Sequence, residues 1–116
     1  MRFQITPIKI MGMGSNLLPF KLDDNRLRRF IAEIAVDTAR VFITDHAKRR
    51  MRERRIRPTQ IYDCLRRGQL KEPGFINLHG HWQCTLMRKH AGDPIHAVAV
   101  LERDDDGDWI AVVTAF

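Results

Sequence analysis

A short basic segment beginning at residue 44 contains the side chains best suited to proton transfer and phosphate binding. His46, Arg49, Arg50 and Glu53 are spaced i, i+3, i+4 and i+7, which places them on one face of a helix. Histidine exchanges protons near neutral pH, and a guanidinium matches a phosphate with two parallel hydrogen bonds. This spacing favours His46 as an acid or base and Arg50 as a phosphate ligand. The alternative is structural: His46 caps the helix start or fills a polar niche, and Arg50 pairs with an acid.

The same segment is strongly cationic. Residues 48–57 hold seven Lys and Arg side chains against the single acid Glu53, and residues 1–71 hold 17 basic and 7 acidic groups. Residues 72–116 reverse the balance with 3 basic and 7 acidic groups, and the whole chain has a net charge of +6. Such a block favours a polyanion, most often nucleic acid, although a membrane surface or an acidic protein would also be attracted. The candidates for phosphate contacts are Lys48, Arg49, Arg52 and Arg54; the alternative is a solvated helix face.

A second group of candidates lies after residue 80, where apolar and polar residues alternate as in a strand. His81 and Gln83 fall on one face and Trp82 and Arg88 on the other, and all four are candidates for RNA contacts. Trp82 either stacks on a base or is buried in the core. The spacing of the nearby histidines and Cys84 matches no common zinc motif, so we expect no metal and no cofactor.

Periodicity predicts the elements that position these residues. Helices are expected over 24–39, 45–55 and 58–68, and 41–43 is a short strand or an extended link. The period then changes to two, which predicts four antiparallel strands at 75–78, 81–88, 95–101 and 109–115. The expected fold is α+β, with two or three helices packed on a four-stranded antiparallel sheet.

Domain boundaries and buried positions follow from the same pattern. Residues 1–22 are expected to form an N-terminal arm or edge strand, and 23–116 a single domain. Leu27, Ile34, Ile61 and Leu65 are predicted to be buried because they set the helical stripes. Cys64 lies on the stripe of the third helix and is expected in the core rather than as a nucleophile.

Two segments resemble a known family. Residues 43–56, ITDHAKRRMRERRI, and the closing residues 110–116, IAVVTAF, are similar to the domain of unknown function 4258. That family is marked by a T-x-H-A-x-x-R-M-x-E-R-x-I helix, a short helix ending in Gly, and a closing V-x-T-A-aromatic strand. The resemblance covers residues 41–116.

The resemblance implies a RelE-like fold in the barnase–RelE-like superfamily of small ribonucleases, which includes many bacterial toxins. Members of this superfamily cleave RNA without metal, through attack of the ribose 2′-hydroxyl on the neighbouring phosphate. His46, Arg50 and Thr114 match the His, Arg and closing Thr of the family pattern and are the implied catalytic residues. Phe116 stands where many relatives have Tyr, so a hydroxyl role there is lost.

The sequence therefore predicts a metal-independent endoribonuclease, the toxin of a bacterial toxin–antitoxin pair. Its expected partners are RNA, including ribosome-bound mRNA, and an acidic antitoxin. A cytoplasmic location is expected because two cysteines accompany no export signal and no apolar run approaches the ~20 residues that span a membrane. The alternatives are a non-catalytic nucleic-acid-binding module and an accessory protein that binds an acidic partner.

Overall fold

Three helices pack against one face of a five-stranded sheet in the computed structural model, which describes residues 23–116. The helices are α1 (Asp24–Ala35), α2 (Asp45–Arg54) and α3 (Pro58–Arg67), with a 3-10 turn at Thr38–Arg40. The strands are β1 (Val41–Ile43), β2 (Gln69–Ile76), β3 (Trp82–His90), β4 (Asp93–Asp104) and β5 (Gly107–Ala115). Residues 1–22, expected as an arm or edge strand, lie outside the described residues.

The predicted α+β class is confirmed, but the prediction of a four-stranded antiparallel sheet is wrong. The strand order is β1-β5-β4-β3-β2, and β1 runs parallel to β5 with Val41 opposite Ile110 and Ile43 opposite Val112. The other neighbouring strands are antiparallel. Short turns between β3, β4 and β5 identified the meander, whereas the β1–β5 pair joins segments that are almost seventy residues apart and carries no local signal.

Helix α1 ends four residues before its predicted end at residue 39. Asp23 caps its start by accepting a hydrogen bond from the Arg26 N–H at 2.8 Å. Beyond Ala35, the Asp37 carboxylate accepts from the Ala39 N–H at 3.0 Å and begins the 3-10 turn that leads into β1. A short polar side chain that bonds its own backbone competes with a continuing helix.

Helix α2 runs within one residue of its predicted span of 45–55. The Thr44 hydroxyl caps it by accepting from the Ala47 N–H at 3.1 Å, and Ala47 and Met51 are buried toward the sheet. The helix ends at Arg55, which adopts the left-handed conformation with φ 57° and ψ 40°. Residues other than glycine and asparagine are uncommon in this conformation at the end of a helix, because their Cβ atom lies too close to the backbone.

Helix α3 begins with Pro58 and stops at Gly68, as predicted. The Gly68 N–H donates to the Cys64 carbonyl at 2.8 Å, and a Cβ on Gly68 would lie only 2.3 Å from that oxygen. The φ of Gly68 is −68°, so glycine is required here by space and not by a left-handed backbone.

The core lies between the helices and the sheet. The predicted buried residues Leu27, Ile34, Ile61 and Leu65 are each 1% exposed or less, which confirms the helical stripes. The strands differ from their predicted spans: β2 runs over 69–76 instead of 75–78, β3 over 82–90 instead of 81–88, β4 over 93–104 instead of 95–101, and β5 over 107–115 instead of 109–115. Strand β2 was underpredicted because it contains Pro73 and two register shifts, which an edge strand tolerates.

The two faces of the sheet differ in what covers them. Leu86, Ala97, Ile110 and Val112 are completely buried under the helices. Alternation places side chains such as His81 on the opposite face, which no helix of residues 23–116 covers. We call this opposite side the open face.

The left-handed Arg55 leads to a stability prediction. Arg55→Gly should raise the free energy of unfolding by about 1 kcal/mol, because glycine adopts this conformation without a Cβ clash. For a domain of this size, that change raises Tm by ~4–8 °C in thermal unfolding followed by circular dichroism. Arg52→Gly, within the regular helix, is the matched control and should lose ~0.5–1 kcal/mol. A lower Tm for Arg55→Gly would contradict the conformational argument.

Candidate functional site

Most of the cations of α2 and of the turn after it are exposed to solvent. We define the basic surface as six exposed side chains, Lys48, Arg49, Arg52, Arg54, Arg55 and Arg57. The buried positions Ala47 and Met51 orient α2 and direct these cations outward. Within residues 23–116, no carboxylate forms an ion pair with any of the six. The surface therefore retains its charge for an anion from outside the domain.

His46 lies on the first turn of α2 and is exposed. Its Nδ1 lies 3.4 Å from Nη2 of Arg49, one of the predicted phosphate contacts. Donation from Arg49 to Nδ1 would leave the proton of a neutral ring on Nε2. The cap of the helix is Thr44, so the capping role considered for His46 belongs to another residue.

Arg50 pairs with an acid, as the structural alternative proposed. Its Nη1 donates to Oε1 of Glu53 at 3.1 Å, and the two side chains are 38% and 52% exposed. An ion pair this exposed contributes at most ~1 kcal/mol. The guanidinium can therefore exchange the carboxylate for a phosphate at little cost.

Thr114, the third implied catalytic residue, directly follows the two residues of β5 that bind Thr44, the cap of α2. The Thr44 N–H donates to the Val112 carbonyl at 3.1 Å, and its hydroxyl donates to the Val113 carbonyl at 3.4 Å. The Thr114 side chain, however, lies on the open face, because Thr114 is opposite Val98, whose neighbours Ala97 and Ala99 are both buried beneath the helices. A register shift in β5 separates Thr114 from the buried Val112. No hydrogen bond of the described residues joins Thr114 to His46, so the structure does not complete the predicted group of three.

His81 and Gln83 share the open face, as their alternation predicted. His81 Nδ1 lies 3.3 Å from Oε1 of Glu102, and Gln83 accepts a hydrogen bond from the Asn77 amide at 3.1 Å. Trp82 lies on the opposite face, partly buried against the core, and its Nε1 has no hydrogen-bond partner in the described part of the chain. This placement favours burial over base stacking for Trp82. The strand candidates therefore form no single cleft with α2.

Arg88 is held by α3 and belongs to an ionic cluster that sequence reasoning missed. Its Nε donates to Oδ2 of Asp63 at 2.6 Å, and Nε of Arg67 lies 3.5 Å from Oδ1 of the same carboxylate. His90 Nε2 lies 3.4 Å from Oδ2, without the alignment of a hydrogen bond. The i, i+4 spacing of Asp63 and Arg67 and the alternation of Arg88 and His90 were visible signals, but nothing local linked the two pairs.

Beside this cluster, a groove of about 240 Å³ opens between the α2–α3 turn and the β3–β4 turn. It is lined by Arg54, Arg55, Ile56, Gln60, His90, Asp93, Pro94, Ile95 and Phe116. A second groove, of about 460 Å³, lies at the opposite end of β4 and is lined by several aspartates together with Arg40, Phe42 and Trp109. His46 lines neither groove.

The two cysteines and the potential metal-binding side chains of residues 23–116 do not form a reactive site. Cys64 and Cys84 are both buried and unpaired by a disulfide, and Cys64 Sγ donates to the Leu86 carbonyl at 3.3 Å. Burial raises the pKa of each thiol to about 12. Across residues 23–116, no group of three or more His, Cys, Asp or Glu side chains is arranged to hold a metal ion. None of the described helices is long and apolar enough to cross a membrane.

Comparison with known proteins gives one match. The family model described as Domain of unknown function (DUF4258) matches residues 43–116, which begin at the end of β1 and include α2, α3 and the remaining strands. Helix α1 precedes the matched region. No curated protein and no solved structure matches the chain.

The buried thiols lead to a prediction about reactivity and pH. Cys64 and Cys84 should resist iodoacetamide at pH 8 in the native protein and react once it is unfolded, because only the thiolate is nucleophilic. The pKa of each folded thiol lies above its usual value of 9.0, so this contribution to stability is complete below pH 9 and is lost as pH rises toward 12. Urea unfolding should therefore show a stability that falls by up to ~1.4 kcal/mol per pH unit for each thiol above pH 9. The double variant Cys64→Ala, Cys84→Ala is the control and should lack this part of the slope; rapid alkylation of the native protein would contradict the prediction.

Proposed function

We propose that this chain, which belongs to the DUF4258 family, binds RNA through its basic surface and cleaves it as a toxin-type endoribonuclease without metal. The observation that carries the proposal is the set of six exposed cations that no carboxylate of the described residues neutralises. The repeated phosphates of an RNA strand can contact several of these cations at once, which a single small anion cannot do. Contacts of this kind supply affinity rather than sequence specificity.

Cleavage in this proposal uses His46 and Arg50, which lie one turn apart on α2. The 2′-hydroxyl of the substrate forms a bond to phosphorus, loses its proton to a base, and the bond to the 5′-oxygen breaks as that oxygen gains a proton. His46 serves one of these two proton transfers. Arg50 leaves Glu53 and neutralises the negative charge that increases on the phosphate in the transition state.

The RelE-like assignment and the biological context belong to the same proposal. Their support is the resemblance carried by the α2 motif and the closing strand, together with an α+β architecture. An acidic antitoxin would cover the basic surface and compete with RNA for the same cations, and both would act in the cytoplasm. Carrying activity over from a shared fold is analogy, so the activity needs its own test.

A non-catalytic RNA-binding module is the second candidate. The observation that favours it is the position of His46 on an exposed helix surface, with Arg49 as its contact and outside both grooves described above. An enzyme usually holds its proton-transfer group in a concave site that excludes water. This candidate requires the basic surface but not His46.

The binding step predicts a strong dependence on salt. The logarithm of the affinity for single-stranded RNA should fall linearly with the logarithm of salt concentration, by ~0.7 for each phosphate contacted. The double variant Arg49→Glu, Arg52→Glu should bind weakly and reduce that slope in fluorescence anisotropy titrations. Arg29→Glu, an equal charge change per site on the exposed side of α1, is the control and should retain most of the slope. Affinity that does not change with salt would exclude the phosphate contacts.

The cleavage step predicts a separate signature for His46. His46→Ala should lower the rate of RNA cleavage by ~10²–10⁴-fold, the usual contribution of a positioned acid or base, while RNA affinity changes little. Arg50→Ala should lower both, because its charge contacts the phosphate in ground and transition states. His79→Ala, at an exposed histidine in the β2–β3 turn, is the control and should cleave normally.

Products should form in EDTA and carry 2′,3′-cyclic or 3′-phosphate ends, as mass spectrometry of the fragments would show. Expression of the wild type should arrest growth, and His46→Ala should relieve the arrest. A wild type that binds RNA but neither cleaves it, alone or with ribosomes, nor slows growth would leave the binding module as the function.

A further inference from the structure

We propose that the groove between the α2–α3 turn and the β3–β4 turn is a phosphate-binding subsite, with Arg54, Arg55 and His90 as its ligands. The groove of about 240 Å³ is smaller than the ~300–1,000 Å³ of pockets that enclose a drug-sized molecule. It therefore accommodates a single small group rather than a whole nucleotide. A phosphate is the group that matches two guanidinium side chains and an imidazole.

The charge of the groove favours an anion. Arg54 and Arg55 contribute two positive charges, neither paired with a carboxylate in the described part of the chain, and Asp93 contributes one negative charge. The nearby carboxylate of Asp63 is already paired with Arg67 and Arg88, at 3.5 and 2.6 Å. The side chains that line the groove are therefore net positive, and the carboxylate of Asp63 behind them does not cancel that charge.

His90 lies between the groove and the cluster around Asp63. Its side chain is 23% exposed and lines the groove, while its Nε2 is buried 3.4 Å from Oδ2 of Asp63. Arg88 and Arg67 fix that carboxylate to the end of α3, so the ring faces a held partner. That contact lacks the alignment of a hydrogen bond, and Nδ1 of the ring has no hydrogen-bond partner among the described residues, which leaves it available to a ligand.

Gln60 supplies a neutral donor to the same groove. Its Oε1 accepts a hydrogen bond from the Arg57 N–H at 2.9 Å, which fixes the side-chain amide at the start of α3. The amide nitrogen has no partner among the described residues. Its two N–H groups are the donors that a phosphate oxygen requires.

Arg55 occupies its place at a conformational cost. Its left-handed backbone, with φ 57°, is one that glycine would adopt without strain. Conformations of this kind persist only where the surrounding structure enforces them, and they cluster at ligand sites, where the side chain has a use. The charge of Arg55 at the edge of the groove provides such a use.

The groove is continuous with the basic surface, because Arg54 and Arg55 belong to both. An RNA strand bound along α2 would enter the groove at the C-terminal end of the helix. This extension rests on the proposed function for the identity of the strand, whereas binding of the phosphate group itself is measured separately. A free phosphate ester and a phosphate of RNA share the same chemistry, and separate probes distinguish them.

The test uses the full chain and four probes: inorganic phosphate, uridine, uridine 3′-monophosphate and single-stranded oligouridine. Titration followed by calorimetry and by NMR of the histidine rings should show that the two phosphate compounds bind and move the His90 signals, whereas uridine does neither. Arg55→Gly and His90→Gln should each weaken uridine 3′-monophosphate by on the order of tenfold, the loss of one charge-assisted hydrogen bond. Arg55→Lys should retain more affinity than Arg55→Gly, and Arg29→Gln on α1 should retain all of it.

The Arg55→Gly variant keeps the test decisive, because it should be more stable than the wild type and its loss of affinity cannot come from unfolding.

Equal affinity for phosphate and the nucleotide would assign the groove to a free phosphate, and tighter binding of the oligonucleotide would assign it to RNA. The proposal is overturned if no phosphate compound binds, or if Arg55→Gly and His90→Gln bind as the wild type does. Oligouridine binding that Arg52→Glu weakens, without any nucleotide binding, would overturn the groove alone. Nucleotide binding without oligouridine binding would instead overturn the proposed RNA function and keep the groove.

Discussion

The junction at Thr44 is the interaction on which the arrangement of the charged surface depends. Its N–H and hydroxyl donate to consecutive carbonyls of β5, while the same hydroxyl accepts from the first turn of α2. One residue therefore ends the parallel strand β1, ties it to the sheet and begins the basic helix. Because the helix start is fixed, Ala47 and Met51 must face the core and the cations must face solvent. A residue that only caps the helix would lose the hydrogen bond from the Thr44 hydroxyl to β5, so Thr44 is difficult to replace.

The charged groups of the domain divide into those that are already paired and those that are not. Asp63 gathers Arg67, Arg88 and His90 on the side of the sheet covered by helices, and Asp108 holds Arg103 near the β4–β5 turn. Hydrogen bonding to Asp108 raises the pKa of the Arg103 guanidinium, so that pair stays ionised. The six cations of the basic surface form no ion pair with a carboxylate of residues 23–116. This contrast, more than the total charge, distinguishes the surface available to a polyanion from charges that serve the fold.

Sequence patterns predicted the features that depend on interactions between residues close together in the chain. The buried stripes at Leu27 and Ile34, the start of α3 at Pro58 and the outward position of the α2 cations all follow from helical period and capping. The end of α1 was missed because Asp37 bonds its own backbone in place of a continuing helix. The fifth strand and the Asp63–Arg88 contact join residues far apart in sequence, and alternation within one segment carries no information about them. For the same reason, no pattern in the sequence indicated that His90 lies in a groove with Arg55.

The edges of the sheet also limit how a partner can bind. Extension of a sheet by another chain needs a straight row of unpaired backbone donors and acceptors, which is also the route to edge-to-edge aggregation. Within residues 23–116, one edge is β1, with three residues, and the other is β2, interrupted by Pro73 and two register shifts. Neither edge offers a template long enough for strand addition. A protein that recognises this domain must therefore rely on side-chain contacts, and the same interruptions protect the isolated chain from polymerising through its sheet.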